Sequence, residues 1–372
     1  MSESKRIVNF SAGPAAIPEA VLKEAQHHLF DYHGAGLSIM EMSHRSKEYD
    51  AVHEAAIKNI KTLLQIPENY SVLFLQGGAS QQFAMVPMNL WEEGRPVDIL
   101  NTGSWTKKAI AELKKGYSHT VIASSEEKNF LALPDLDSAT FNDVSSYTYM
   151  CSNNTIFGTQ FKTFPTQAKS PLVVDMSSDI LSRELNIRDF GLIFAGAQKN
   201  IGPSGVTLVI IRNDLLERSK ASIPNFFNYK THAAANSLYN TPPTFAIYMA
   251  NLVFEYLLKN GGLNAQEKRN IEKANVLYDA IDRSDLFYCP IPESDRSLMN
   301  VVFRQKDHDE TIEKDFISAA KLAGFDGIKG HRSVGGLRAS IYNAQTQTNI
   351  DKFVSFIHEY SKLKVTPTGS IS

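Results

Sequence analysis

Apolar positions in the first two thirds of the chain alternate between two periods. Val52, Ala56, Ile60, Leu63 and Leu64 recur at near-helical spacing, so Lys47 to Leu64 is predicted to be an amphipathic helix with its lysines and glutamates in water. Glu19 to Phe30, Phe83 to Leu90, Thr106 to Lys115 and Thr244 to Leu258 carry further helical patterns. Between them lie runs of strand length: Ser71 to Leu75, Val97 to Asn101, a stretch from Tyr147, Pro171 to Asp175, and the two apolar flanks of Phe190 to Arg212. This alternation predicts an α/β fold with a mostly parallel, doubly wound sheet.

Punctuation sets the boundaries. Asn9 to Pro18 is a turn-rich opening, His33 to Arg45 is a glycine-interrupted loop, and Phe226 to Thr241 reads as loop. Gly261-Gly262 ends the alternation. Beyond it come a charged helix from Asn264 to Asp282, a strand from Met299 to Arg304, a helix from Ile312 to Ala323, a strand leading out of His331 to Ile341, and a helix from Ile350 to Lys362. The expected units are an arm over residues 1–18, a large domain over 19–260 and a smaller C-terminal α+β domain over 261–372, whose tail Thr366 to Ser372 frays.

Charge narrows the partners. Lys plus Arg number 38 against 40 Asp plus Glu, a net charge of −2, which gives no electrostatic footprint for nucleic acid or an anionic membrane. No apolar run is long enough to span a bilayer, and Met1 to Arg6 is too polar for a secretion signal. Two cysteines, Cys151 and Cys289, do not suggest a disulfide framework; a reducing cytoplasm is the expectation, with no metal site.

The candidate chemistry starts at Lys199, set among Gly, Ala, Gln, Asn, Pro and Ser between two strand-like runs. Small neighbours let the backbone approach something bulky while the amine projects into a pocket. Schiff-base chemistry suits such a lysine if desolvation or nearby charge disfavours the ammonium form. Taken alone, a solvated loop lysine fits as well. Upstream, the strand through Val173 and Val174 ends in Asp175, where a parallel sheet places functional acids, although a helix N-cap is the commoner role for such a residue.

Four further motifs recur in order: Asn9-Phe-Ser-Ala-Gly-Pro, Met42-Ser-His-Arg-Ser, Gly77-Gly-Ala-Ser and Gly330-His-Arg-Ser-Val-Gly-Gly-Leu-Arg-Ala-Ser. With Asp175 and Lys199 they resemble the phosphoserine aminotransferase family of class-V pyridoxal-phosphate enzymes, over nearly the whole chain. The resemblance implies the aspartate-aminotransferase-like fold (fold type I) and pyridoxal 5'-phosphate as cofactor. It makes Lys199 the Schiff-base lysine and proton shuttle, and Asp175 the partner of the pyridine nitrogen. Ala79 and Ser80 would donate to the cofactor phosphate, Trp105 would stack on the ring, and Thr155 and Gln198 would contact it. Asn240 and Thr241, which also read as a cap before Thr244, would reach the phosphate of the other subunit's cofactor in a homodimer with shared sites.

Five basic residues remain. The resemblance gives Arg338 the α-carboxylate; His44 and Arg45, from the partner, join His331 and Arg332 around a distal anion, either phosphate or the glutamate side chain. It implies ping-pong transamination of 3-phosphohydroxypyruvate with L-glutamate, and leaves 3-hydroxy-2-oxo-4-phosphooxybutanoate as an open second substrate. Where some members carry an arginine after the glycine-rich turn this chain has Ser80, so one phosphate contact is absent or supplied elsewhere. Rival readings fare worse. A desulfurase needs a mobile thiol, and Cys289 has apolar and proline neighbours. A cofactor-sensing regulator needs a nucleic-acid module for which there is no spare length, and Gly77-Gly78 matches neither the dinucleotide nor the phosphate-loop pattern.

Overall fold

The computed structural model describes residues 6–365; the tail Thr366 to Ser372 lies outside them. A seven-stranded sheet runs in the order Tyr70–Gly77, Gly205–Arg212, Leu192–Gly196, Leu172–Asp175, Tyr147–Cys151, Val97–Asn101, His119–Ser124. Gly205–Arg212 is antiparallel to both neighbours, and every other pairing is parallel. Side chains alternate between two buried layers, as the pleat requires. Val72 and Phe74 face one core while Leu73 and Leu75 face the other. The Lys47–Leu64 and Thr244–Lys259 helices cover the first face; Ala79–Leu90 and Ser104–Leu113 cover the second.

Several elements differ from their sequence reading. The first helix is Glu19–His28, stopping short of an exposed Phe30. The helix expected from Phe83 begins at Ala79, directly after the glycine pair. Phe226 to Thr241 is not all loop, because the Asn228 carboxamide accepts from the N–H groups of Lys230 and Thr231 and starts a helix over Tyr229–Ala234. That cap satisfies donors a short helix cannot satisfy itself. His119–Ser124 went unread because, as an edge strand with mostly half-buried or exposed positions, it lacks an apolar run.

A second core packs a three-stranded sheet, Phe287–Tyr288, Asn300–Gln305 and Leu337–Ser340, against the Glu310–Leu322 and Gln347–Val365 helices. The chain's beginning joins it: Val8–Asn9 pairs with Phe325–Asp326, and Phe10 is fully buried there. The Gly262–Asp282 helix spans both cores, with Leu263 in the first and Ala274, Leu277 and Ile281 in the second. The two sheets are thus joined by a continuous helix.

Candidate active site

The central strand Leu172–Asp175 is buried at every position and ends in a carboxylate only 4% exposed. No helix follows, so Asp175 is not an N-cap; its Oδ1 accepts the Ser177 N–H at 2.9 Å. Burial raises its pKa, against the lowering by the Lys199 charge and the Ser177 hydrogen bonds, while Asp179 adds to the rise. An ionised Asp175 is therefore under-compensated, and a cationic N–H placed against it would restore the balance.

One strand over, the chain leaves Leu192–Gly196 and must reverse into Gly205–Arg212, and the reversal carries Lys199 at the carboxyl edge of the sheet. Lys199 is half-buried, with Nζ donating to Thr155 Oγ1 at 3.3 Å and lying 5.5 Å from the Trp105 ring centroid. Thr155 thus answers the lysine rather than its local turn. The opening arm passes over the same residues: Ala15 N–H donates to the Gln198 carbonyl at 2.9 Å, and a side chain at Gly13 would meet Lys199 Cγ at 3.5 Å.

Trp105 sits in the first turn of Ser104–Leu113 with Nε1 buried and unpartnered. Ala79 and Ser80 open their helix behind Gly78, which offers no capping side chain, so the first N–H groups stay free for an anion. Gly77 suits this turn because its φ is +95°, a conformation that strains residues with a Cβ.

Arg338, on the small sheet, reaches the turn between Asn153–Asn154 and Thr159–Gln160, where its Nη1 donates to the Thr155 carbonyl at 3.1 Å. It is 9% exposed, its Nε has no partner, and burial lowers its pKa. Behind it lies a cavity of about 270 Å³, also lined by Ile156, Phe157 and Val302. His331 and Arg332 ride the loop that leads into the same strand. Gly330 N–H closes the loop on the Gly336 carbonyl at 2.9 Å, and a Cβ at Gly330 would strike the Gly335 carbonyl at 2.1 Å. His331 Nδ1 accepts the Ser333 N–H at 3.2 Å, and the ring pKa is lowered by burial and then by Arg338, Arg332 and Lys108.

Lys199, Asp175, Trp105, Thr155, Gln198 and Arg338 therefore converge within one chain. Others do not join them. Asn240 Nδ2 donates to Gln76 Oε1 at 3.2 Å, and Gln76 Nε2 to the Thr241 carbonyl at 2.8 Å. Neither residue caps the next helix, whose N-cap is Pro243, so the capping expectation is corrected. The two prolines leave no room for an Asn or Thr side chain at the cap position itself. His44 is half-buried and Arg45 exposed in the turn before Lys47–Leu64, whose cap is Ser46. At Cys289 burial raises the thiol pKa, and Sγ points to the Ile291 carbonyl, surroundings that do not favour a reactive thiolate. Sequence reasoning overlooked Gln76 and Lys108. The second had a signal, its i, i+3 spacing from Trp105 on a helix.

A strand-end carboxylate and a turn lysine at one sheet edge, beneath an aromatic ring and a helix N-terminus, define a pyridoxal-phosphate-dependent enzyme. The chain belongs to the class-V aminotransferase family, whose model matches residues 7–353. Within that family its relatives are phosphoserine aminotransferases. That of Geobacillus kaustophilus is 53% identical over 96% of this chain and 99% of its own length. The solved phosphoserine aminotransferase of Bacillus circulans subsp. alkalophilus superposes with a TM-score of 0.95 at 48% identity, covering 97% of this chain and all of that one. The PLP-bound phosphoserine aminotransferase of Trichomonas vaginalis gives 0.91 at 39% identity, covering 95% and 100%.

Proposed function

We propose that this chain catalyses reversible amino transfer between L-glutamate and 3-phosphohydroxypyruvate, giving 2-oxoglutarate and O-phospho-L-serine, with pyridoxal phosphate, in L-serine biosynthesis. The observation that carries the reading is Asp175, a buried carboxylate short of a cationic partner, in the same site as Lys199. These residues fit the cofactor: Asp175 for its ring nitrogen, Lys199 for its aldehyde carbon, Trp105 for its face, Thr155 and Gln198 beside it, and the Ala79 and Ser80 N–H groups for its phosphate. When bound, pyridoxal phosphate supplies an electron sink for the substrate α-carbon.

The chain's own groups do the rest. With the cofactor bound, Lys199 Nζ would take the substrate's α-proton as a general base and deliver it as an acid to the cofactor's aldehyde carbon. Asp175 would keep the ring nitrogen protonated. Arg338 has a free Nε and no carboxylate partner among the described residues, and it orients the α-carboxylate that both substrates share. His331 and Arg332 face the distal anion with His44 and Arg45 of a second copy. The reading includes shared sites in a homodimer, with Asn240 and Thr241 crossing likewise; among the described residues no hydrogen bond or ion pair ties His44 or Arg45 to Lys199. Because 3-hydroxy-2-oxo-4-phosphooxybutanoate carries the same α-keto acid and phosphate, we extend the reading to it. The arm 1–18, large domain 19–260 and small domain 261–372 stay the working units, and two unpaired cysteines suit a cytoplasmic enzyme.

The test is a half-reaction without a keto-acid acceptor, following the visible absorbance of the lysine-bound cofactor. Phosphoserine should bleach it and serine should not. No cofactor band after adding pyridoxal phosphate would sink the reading; equal bleaching by both amino acids would keep transamination and discard the basic cluster.

A further inference from the structure

Lys107 and Lys108 are neighbours on the exposed side of Ser104–Leu113, yet their surroundings differ. Lys107 is neutralised, its Nζ 2.6 Å from Glu126 and 4.9 Å from the Phe130 ring centroid. Lys108 has no carboxylate within ion-pair distance among the described residues. Its Nζ instead lies 4.7 Å from the centroid of Trp105, the ring that Lys199 Nζ approaches to 5.5 Å. His331, Arg332 and Arg338 also lack carboxylate partners among the described residues. Lys108, Arg332 and Arg338 are near enough that, after burial, their charges push the His331 pKa down. Lys108 and Lys199 share the Trp105 ring, and Lys199 and Arg338 share Thr155, so basic groups gather at one site, and their mutual repulsion is relieved when an anion binds.

We propose that Lys108 sets substrate specificity by supplying the extra charge that separates a phosphate dianion from a carboxylate at the distal end of the substrate. This rests on the function proposed above. A carboxylate brings one charge and two oxygens, which the imidazole and guanidinium groups can satisfy. A phosphate ester brings close to two charges and three acceptor oxygens, so a donor and a charge are still wanted. A lysine is a compact charge on a flexible stem, able to move in for the larger anion and stay hydrated beside the smaller one. Without the phosphate its ammonium rests over Trp105, where Nζ stands 4.7 Å from the ring centroid.

The holoenzyme and its Lys108→Gln, Lys108→Arg and Lys107→Gln variants are compared in the two half-reactions, with phosphoserine and with glutamate. Loss of one charge-assisted contact should raise half-saturating phosphoserine about tenfold in Lys108→Gln and move glutamate less than about twofold. Lys108→Arg should recover most of the loss, and Lys107→Gln should match the wild type. Calorimetric binding of inorganic phosphate to the holoenzyme at pH 8 should weaken in parallel. Equal effects on both amino acids would make Lys108 a support for Trp105, and an unchanged phosphoserine response would remove it from the site; either overturns the proposal. A wild type indifferent to phosphoserine would overturn the function instead, which keeps the two failures apart.

Discussion

Asp175 ends a strand hydrogen-bonded on both sides, and Lys199 stands in the reversal beside it, whereas His44 and Arg45 stand on a turn outside any strand, and His331 and Arg332 on the loop between Phe325–Asp326 and Leu337–Ser340. The first half of the site is fixed by the sheet; the second is carried on loops. The chemistry asks for this division. Bond-making at the α-carbon is the same for both amino acids and benefits from groups that do not reorganise. The distal anion differs in shape and charge between the two substrates, and only adaptable loops can serve both.

The sharpest way to break the comparison is at the rigid half. Lys199→Ala should cut turnover by about 10⁴-fold or more, since no other base near the α-carbon replaces it. The cofactor should still bind through Asp175, Trp105 and the free helix N–H groups, as absorbance and dialysis would show. Multiple turnover near the wild-type rate would dismiss the assignment.

Asp175→Asn separates function from stability. Asp175 has a folded pKa above its unfolded value, so the stability it gives is complete below the unfolded pKa and is lost as pH rises through the folded one. Above its unfolded pKa the buried carboxyl therefore costs the cofactor-free protein stability. The Asn variant without cofactor should melt about 1–3 °C higher at pH 7, with the gap closing toward pH 4. Turnover should fall about 10²-fold, as for other lost electrostatic stabilisers. A variant that melts lower would mean that the carboxylate serves chiefly to receive the Ser177 N–H.

The rigid half was also the legible half. A strand ending in Asp175 and a small-residue turn around Lys199 are local patterns, and a parallel sheet brings its strand ends together whatever the loops do. Trp105 and Thr155 entered only through the family resemblance, since their local patterns read as a core ring and a turn hydroxyl. Gln76 was harder, because its partners Asn240 and Thr241 are known only once strands and loops are packed, whereas Lys108 had its helical spacing from Trp105 and lacked only a reason to be read with it. The loop residues His44 and Arg45 are legible as chemistry but not as geometry. Nothing local in the sequence says whose site they serve, their own chain's or, as proposed above, that of a second copy.

Mixing tests that destination. A Lys199→Ala subunit keeps its loops, and an Arg45→Ala subunit keeps its lysine; each alone should be poor. Random re-pairing after dissociation makes half the dimers mixed, each with one complete site, so about a quarter of wild-type activity should return. No recovery, with mixed dimers verified by mass, would put Arg45 at its own chain's site.

The loop half has one rigid support, and it is another lysine. Lys273 is 1% exposed on Gly262–Asp282 and donates from Nζ to the carbonyls of Ile341 at 3.0 Å and Tyr342 at 2.9 Å, directly after the Arg338 strand. Tyr342 Oη in turn donates to the Ala12 carbonyl at 2.7 Å, beside the Gly13 that covers Lys199. Burial, then Arg269, lowers the Lys273 pKa to about 7. Its folded pKa thus lies below its unfolded value near 10.4, and between the two the unfolded chain binds the extra proton. Stability should then rise with pH across that window. Relative to Lys273→Met, which cannot titrate, the wild-type melting temperature should gain about 3–4 °C from pH 7 to pH 9. A constant gap would show that the ammonium stays charged on its two carbonyls. In that case the link between the halves is held by a buried ion, and Lys273→Met should loosen Arg338 and raise KM for both amino acids together.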